Sequence, residues 1–344
     1  MKKHINLALQ GGGAHGAFTW GVLDRLLSES DLEVSAISGT SAGALNGAAF
    51  KAGMIEGGKE GARAKLQWLW EEIGAQPDLQ IPQWMTPYSL SQFSRALEMS
   101  WPVLASETLS RVVSPYDYGP FYSNPLQRIV DQFDFNAVCA EGTTGPCLFV
   151  CATRVRSGKV RVFKDSEIST EAILASACLP TVFQAVEVED PETGTTEAFW
   201  DGGYTGNPAL FPLFNPSLPD DIVIININPL ERTEIPRTAQ AIQNRINEIS
   251  FNSSLLRELR AIEFVQRLLE DGSLKKGERS RVHVHMIADD ALMNELTVAT
   301  KMVPTPYTLA KLKDAGQRAA DHFLSVHWDD LNERSSVDLV DMFQ

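Results

Sequence analysis

Residues 39–43 read Gly39-Thr40-Ser41-Ala42-Gly43, a serine with a glycine two places to either side. Between a strand and a helix, G-x-S-x-G is a nucleophile elbow. Small neighbours let the chains come close, and the sharp turn lifts the serine hydroxyl out of the sheet. The helix start behind it favours developing negative charge. The chemistry such a serine performs is acyl transfer, which creates an oxyanion and therefore needs fixed N–H donors. Gly11-Gly12-Gly13, ahead of a second helix pattern, presents backbone N–H groups with no side chains in the way. Ser41 is thus the candidate nucleophile, and Gly11, Gly12 and Gly13 are the candidate donors. A third marked place is Trp200-Asp201-Gly202-Gly203, a carboxylate that ends a strand and precedes two glycines.

The serine needs a base. The order Ser…Asp…His would make a triad, and His283, His285, His322 and His327 lie downstream of Ser41. The first two fall in the last expected strand and the others near the tail, none in a glycine-rich turn. Asp201 is the marked carboxylate, although an aspartate there is also an ordinary turn residue. Gly11, Gly13 and Gly16 satisfy G-x-G-x-x-G as well, the fingerprint of dinucleotide binding. That fold wants an acidic residue closing the second strand. Here Asp31 and Glu33 precede the strand Val34–Ser38, which ends in Gly39. A nucleotide-dependent oxidoreductase is therefore the weakest reading. A fold-preserving but inactive binding or signalling module is the other alternative.

These turns have to be held by regular elements. Ile5–Gln10 reads as a buried strand, and Phe18, Val22, Leu23, Leu26 and Leu27 follow at helical spacing. Val34–Ser38 is the second strand, and a small-residue helix runs from Ala44 to about Ala52. Strand, glycine turn and helix, twice over, is α/β grammar with a parallel sheet. Residues 77–125 change texture, with Trp84, Met85, Phe93, Met99, Trp101, Leu104, Tyr116 and Tyr122 in a long, partly irregular insertion. Such insertions often serve as lids or binding loops. Leu148–Thr153 and Lys159–Phe163 form a hairpin about Ser157-Gly158. A helix over Thr170–Cys178 stops before Pro180. Val182–Val188 and Thr196–Trp200 pair around residues 190–194. Asp221–Asn228 is an apolar, buried-strand run. Thr238–Ile249 and Ser254–Leu269 read as two helices with a cap at Asn252, Ser253 and Ser254. Arg281–Ala288 is the final strand, and Thr308–Phe323 the tail helix.

Composition narrows the class. The 344 residues are 44% hydrophobic and 22% charged, as expected of a globular chain with a full core. A net charge of −14 excludes the basic stripe that a nucleic-acid binder needs, and simple adhesion to an anionic membrane. Cys139, Cys147, Cys151 and Cys178 have no metal-type pairing and read as reduced, mostly buried thiols. No stretch approaches the ~20 apolar residues of a membrane span, and the N-terminus has no signal-peptide pattern, so a cytoplasmic location is expected.

In this order, Gly11-Gly12-Gly13-Ala14-His15-Gly16, Gly39-Thr40-Ser41-Ala42-Gly43 and Asp201-Gly202-Gly203 resemble the motifs of the patatin-like phospholipase family. The Ala175–Pro180 text is similar to the block that precedes the family's aspartate. The resemblance implies a three-layer α/β/α sandwich with a mostly parallel sheet. It places a catalytic core over 5–230, with the insertion 77–125, and leaves 231–344 as a helix-and-strand extension packed on the same unit. It also implies hydrolysis of lipid acyl esters by a dyad without histidine. Ser41 would be the nucleophile, Asp201 the base, Gly11 to Gly13 the oxyanion turn, and Gly39, Gly43, Gly202 and Gly203 the turn supports. Neither metal nor organic cofactor is required, and the implied partners are an acyl-ester substrate and a transient membrane surface. Many members carry Arg or Lys where this chain has His15, which is read here as a neutral, solvent-facing residue at the helix start.

Overall fold

The computed structural model describes residues 2–75, 90–98, 100, 113–139, 145–232, 235–274 and 281–343. Within them one sheet contains β1 (Lys3–Leu9), β2 (Leu32–Thr40), β3 (Cys147–Arg154), β4 (Val160–Lys164), β5 (Val186–Asp190), β6 (Thr195–Asp201), β7 (Asp221–Ile225) and β8 (His283–Ile287). The order is β5-β6-β3-β2-β1-β7-β8, with β4 also paired to β3. The strands β3, β2, β1, β7 and β8 are parallel to one another, and β4, β5 and β6 are attached antiparallel at one end.

The parallel strands carry apolar residues on both faces because helices cover both. Ile5, Leu7 and Leu9 of β1 enter a core shared with α1 (Gly16–Leu26), α2 (Ala42–Gly74) and the long C-terminal helix. Ala8, between them, faces the opposite layer, as do Ile222 and Ile224 of β7. The result is an α/β/α sandwich around a mixed, mostly parallel sheet. α3 (Leu90–Glu98) and α4 (Thr170–Ser176) follow in the chain. After β7 come α5 (Ala239–Glu270), α6 (Val298–Met302) and α7 (Pro306–His327).

Several elements differ from the sequence reading. α2 continues far past Ala52, broken only at Gly57–Gly58, where Gly58 has φ 63°. The strand expected from Val182 starts at Val186, because the N–H groups of Val182 and Phe183 turn back to the Leu179 carbonyl. The two helices expected between 238 and 269 are one, α5. Asn252 and Ser254 lie inside it and are buried, and their side chains are engaged with loops at the end of the sheet rather than with a helix terminus. Part of the 77–125 insertion is regular: α3 buries Leu90, Phe93 and Leu97 at spacings of three and four. Trp84, Met85, Met99, Trp101 and Leu104 lie outside the described residues. The four cysteines are free, with Cys147 exposed and the others buried.

Candidate functional site

β3 sets the geometry of the site. β4 occupies one of its edges, opposite Phe149 to Thr153. The other edge is shared end to end by β2, which reaches Thr40 opposite Cys151, and β6, which reaches Asp201 opposite Ala152. β2 is parallel to β3 and β6 antiparallel, so their ends meet head to head. Ser41, one residue beyond β2, and Asp201, the last residue of β6, therefore emerge side by side.

Ser41 adopts φ 54° and ψ −121°, a conformation that costs a non-glycine residue on the order of 1–3 kcal/mol. Two hydrogen bonds hold it. Its N–H donates to Ser176 Oγ at 2.9 Å, and its C=O accepts from Leu45 N at 3.1 Å, opening α2. Ser176 Oγ in turn donates to the Cys151 carbonyl at 2.6 Å, tying α4 to the elbow and to β3. The turn is tight enough that a Cβ on Gly43 would sit 2.2 Å from the Leu9 carbonyl oxygen.

Asp201 is 1% exposed. Its Oδ1 accepts from Gly203 N at 2.7 Å, its backbone N–H donates to the Cys178 carbonyl at 2.7 Å, and its carbonyl accepts from Thr153 Oγ1 at 2.8 Å. Burial pushes its carboxyl up to about 7, against the opposing pull of the Gly203 N–H and of the Ser41 side chain. A carboxylate that titrates near neutrality is a far better proton acceptor than one at the ordinary value of 3.8. Tyr204 stands beside it with its ring edge-on to Phe251, 5.1 Å between centroids.

The glycine turn touches the same serine. A Cβ on Gly11 would lie 2.8 Å from Ser41 Cβ and 2.9 Å from the Thr40 carbonyl oxygen, so only glycine fits. The Gly11 N–H donates to Asn207 Oδ1 at 2.7 Å, so of the three expected donors this one is already committed. Gly12 and Gly13 open the short helical turn Gly13–His15, where first-turn N–H groups have no intrahelical acceptor. Gln10 Oε1 accepts from Ile227 N and Asn228 N, and Asn228 Nδ2 donates to the Gly11 carbonyl at 2.8 Å. Gln10 Nε2 reaches Asn252 Oδ1 of α5 at 3.3 Å.

His15 does not face solvent as the sequence suggested. It is 1% exposed, and its Nε2 is 2.8 Å from Thr300 Oγ1. Burial, then the charges of Lys301 and Arg232, press its pKa well below the ordinary range, so the imidazole is neutral. The remaining histidines are remote from Ser41. His283 and His285 flank Asp221 at the N-terminal end of β7 and β8, the opposite end of the sheet from the elbow. His322 is exposed, and His327 bonds to Asp330. Ser176, Asn207, Asn228 and Asn252 support the site and were not singled out for it from sequence. Asn226 and Asn228 in an otherwise apolar strand run were the available signal, because a buried amide implies a hydrogen-bonded network.

The described part of the insertion touches this end of the sheet. Tyr122 Oη accepts from Gln184 N at 3.2 Å, Tyr116 Oη accepts from Ala185 N at 3.0 Å, and Gln184 Nε2 donates to the Pro115 carbonyl at 3.0 Å. That loop begins at Cys178, whose carbonyl holds the Asp201 amide. Among the described residues no group of three His, Cys, Asp or Glu side chains is placed to hold a metal ion, and no helix is long and apolar enough to cross a membrane.

A search of curated protein sequences finds no match. Among solved structures the chain is similar to VipD from Legionella pneumophila, with 13% identity, a TM-score of 0.41, and coverage of 94% of this chain and 67% of that one. The family model described as patatin-like phospholipase matches residues 7–214, which hold all three glycine-flanked motifs. Matched over more than half its length, the chain belongs to the patatin-like phospholipase family.

Proposed function

We propose that the protein is a serine lipid acyl hydrolase that cleaves carboxylic esters through an acyl-enzyme on Ser41, with Asp201 as the only base. The observation that carries this reading is the meeting of β2 and β6 on one edge of β3. It sets a strained serine against a buried carboxylate that is pushed up to about 7 and on which the serine side chain acts.

The steps follow from the positions. As Ser41 Oγ attacks the ester carbonyl, its proton passes to the Asp201 carboxylate. The negative charge that develops on the carbonyl oxygen is met by the N–H groups of Gly12 and Gly13, fixed before reaction and therefore effective. The intermediate collapses, the leaving alkoxide takes the proton from Asp201, and an ester of Ser41 remains. Water then gives its proton to Asp201 and attacks that ester. Collapse returns the proton to Ser41 Oγ and releases the carboxylic acid. The high pKa of Asp201 suits both halves, since a group near 7 gives up a proton as readily as it accepts one at neutral pH. Gly11 permits contact with the serine, and Gly39, Gly43, Gly202 and Gly203 allow the two turns to close. The insertion over 77–125, whose Tyr116 and Tyr122 hold the backbone at Ala185 and Gln184, governs access for long acyl chains.

A fluorophosphonate probe tests the reading. Wild-type protein is expected to label stoichiometrically and hydrolyse lipid esters, and folded Ser41→Ala to do neither. Full hydrolysis by folded Ser41→Ala would overturn it.

A further inference from the structure

We propose that Lys301, on α6 and well beyond the residues that match the family, is a positioning residue for acyl transfer: its ammonium holds Asn228 against the glycine turn and keeps positive charge behind it. The proposal rests on the reading of Ser41 and Asp201 given above.

Two contacts place α6 on the turn. Lys301 Nζ donates to Asn228 Oδ1 at 2.8 Å, and Asn228 Nδ2 donates to the Gly11 carbonyl at 2.8 Å. Gly11 lies against Ser41, so a chain of three hydrogen-bonding groups leads from the ammonium to the backbone beside the nucleophile. The Lys301 carbonyl oxygen presses on the turn separately, 2.3 Å from where a Cβ on Gly13 would stand. A peptide unit gripped at its carbonyl cannot rotate. Holding the Gly11 carbonyl therefore fixes the direction of the Gly12 N–H, which belongs to the same peptide plane.

The surrounding charges add up to a local surplus of cations. Glu248 of α5 binds Arg232 through both oxygens, at 2.9 and 2.6 Å, and Arg245 at 3.3 Å. Among the described residues Lys301 has no carboxylate within ion-pair distance. Three cations thus face one carboxylate, in a chain whose net charge is −14. The same two cations, Lys301 and Arg232, add to the burial that keeps the His15 ring neutral. An unpaired ammonium is costly to bury. Here it occupies a place where negative charge appears only during reaction, so it strengthens the transition state more than the resting enzyme.

The charged groups acting on Lys301 are Glu248 from α5, which also holds Arg245, and Arg232 from the loop after β7; neutral His15 of the glycine turn feels its charge, and α3, packed on α6, ends in Glu98. Burial lowers the Lys301 pKa to about 8, with Glu248 raising and Arg232 lowering it. Activity is therefore expected to fall on the alkaline side as the ammonium loses its proton, separately from the acid limb set by Asp201.

The test uses the full chain and nitrophenyl butyrate, a short soluble ester that needs only the Ser41 site. Lys301→Met is expected to lower kcat by about 10-fold or more, with KM within about 3-fold, in the range seen when transition-state donors are disturbed. It should also remove the wild-type alkaline limb near pH 8. Lys301→Arg should recover most of kcat and move that limb upward, because a guanidinium keeps its proton. Lys301→Met combined with Asn228→Ala should be no worse than the poorer single variant. A folded Lys301→Met enzyme with kcat within two-fold of wild type and the same alkaline limb overturns the proposal. If Lys301→Met does not fold, Lys301→Arg decides: an alkaline limb that stays in place overturns it equally. Ser41→Ala keeps the two readings apart. Hydrolysis that survives Ser41→Ala sinks the dyad, whereas a dead Ser41→Ala beside an unaffected Lys301→Met sinks only the role of Lys301.

Discussion

Asp201→Asn is expected to make the protein more stable and nearly inactive, with both effects governed by the same pKa. Burial lifts the carboxyl from 3.8 to about 7, roughly three units. At about 1.4 kcal/mol per unit, ionising Asp201 in the folded chain costs on the order of 4 kcal/mol more than in the unfolded chain. Below pH 3.8 the group is neutral in both states and the penalty is absent. Between about pH 4 and 7 only the unfolded chain ionises, so stability falls as pH rises, and above 7 the full penalty applies. Asparagine keeps an oxygen for the Gly203 N–H and carries no charge. At pH 8 the variant should therefore gain up to about 4 kcal/mol. For 344 residues, an unfolding entropy of roughly 0.7 kcal/mol/K converts this to a Tm rise of about 5 °C. Most of the gain should vanish at pH 4.5. Over the same range, wild-type kcat should climb with a midpoint near pH 7, and in the variant it should be lower by about 10²–10⁴-fold. Differential scanning calorimetry at the two pH values and a pH–rate profile supply the measurements. A Tm gain that is absent, or equal at both pH values, would show that burial does not hold this carboxyl neutral. A folded variant with near-wild-type kcat would refute its role as base.

Gly11→Ala places a methyl group 2.8 Å from Ser41 Cβ. Ester hydrolysis and fluorophosphonate labelling should both fall by about 100-fold, the scale of a disrupted nucleophile and oxyanion geometry, and unchanged labelling would argue against the contact. Asp221→Asn tests the histidines at the far end of the sheet. Burial alone would raise this carboxyl, but His283, His285 and the Asn332 backbone hold it below its ordinary value. The variant should lose about 3 kcal/mol at neutral pH, with the deficit shrinking as pH falls below 3.8, and kcat should stay within two-fold; a large loss of kcat would bring these histidines into the chemistry. Trp84→Ala with Trp101→Ala should raise KM for a C16 nitrophenyl ester more than for a C4 ester if the insertion admits the acyl chain. An equal loss on both would assign the tryptophans to the fold.

What the sequence disclosed and what it concealed divide along a physical line. The apolar alternation of Ile5 to Leu9 and the helical spacing of Phe18, Val22 and Leu23 were readable because burial is a local pattern with a fixed period. The elbow and the Asp-Gly-Gly turn were readable because close approach of backbones demands glycine at fixed offsets. Asn252 and Ser254 misled, since short polar side chains at a helix start and polar side chains aimed from mid-helix at a neighbouring loop look the same in one dimension. That neither is a cap is decided by their partners Gln10 and Asn207, 242 and 47 residues away. His15 misled for a related reason: its burial comes from α6, 285 residues further on. Lys301 carried no signal at all, standing in an unremarkable Ala-Thr-Lys-Met stretch. The groups proposed to act on substrate sit in turns whose backbone restricts their neighbours, and so they write a motif. The groups that hold those turns in place act through side chains across the fold, where any residue of suitable length and charge can serve, and so they write none. In this chain Ser41 and Asp201 are therefore a matter of pattern, while their support is a matter of register: the edge of β3 that brings Thr40 and Asp201 together, and α6, which brings the Lys301 ammonium to Asn228 behind the glycine turn.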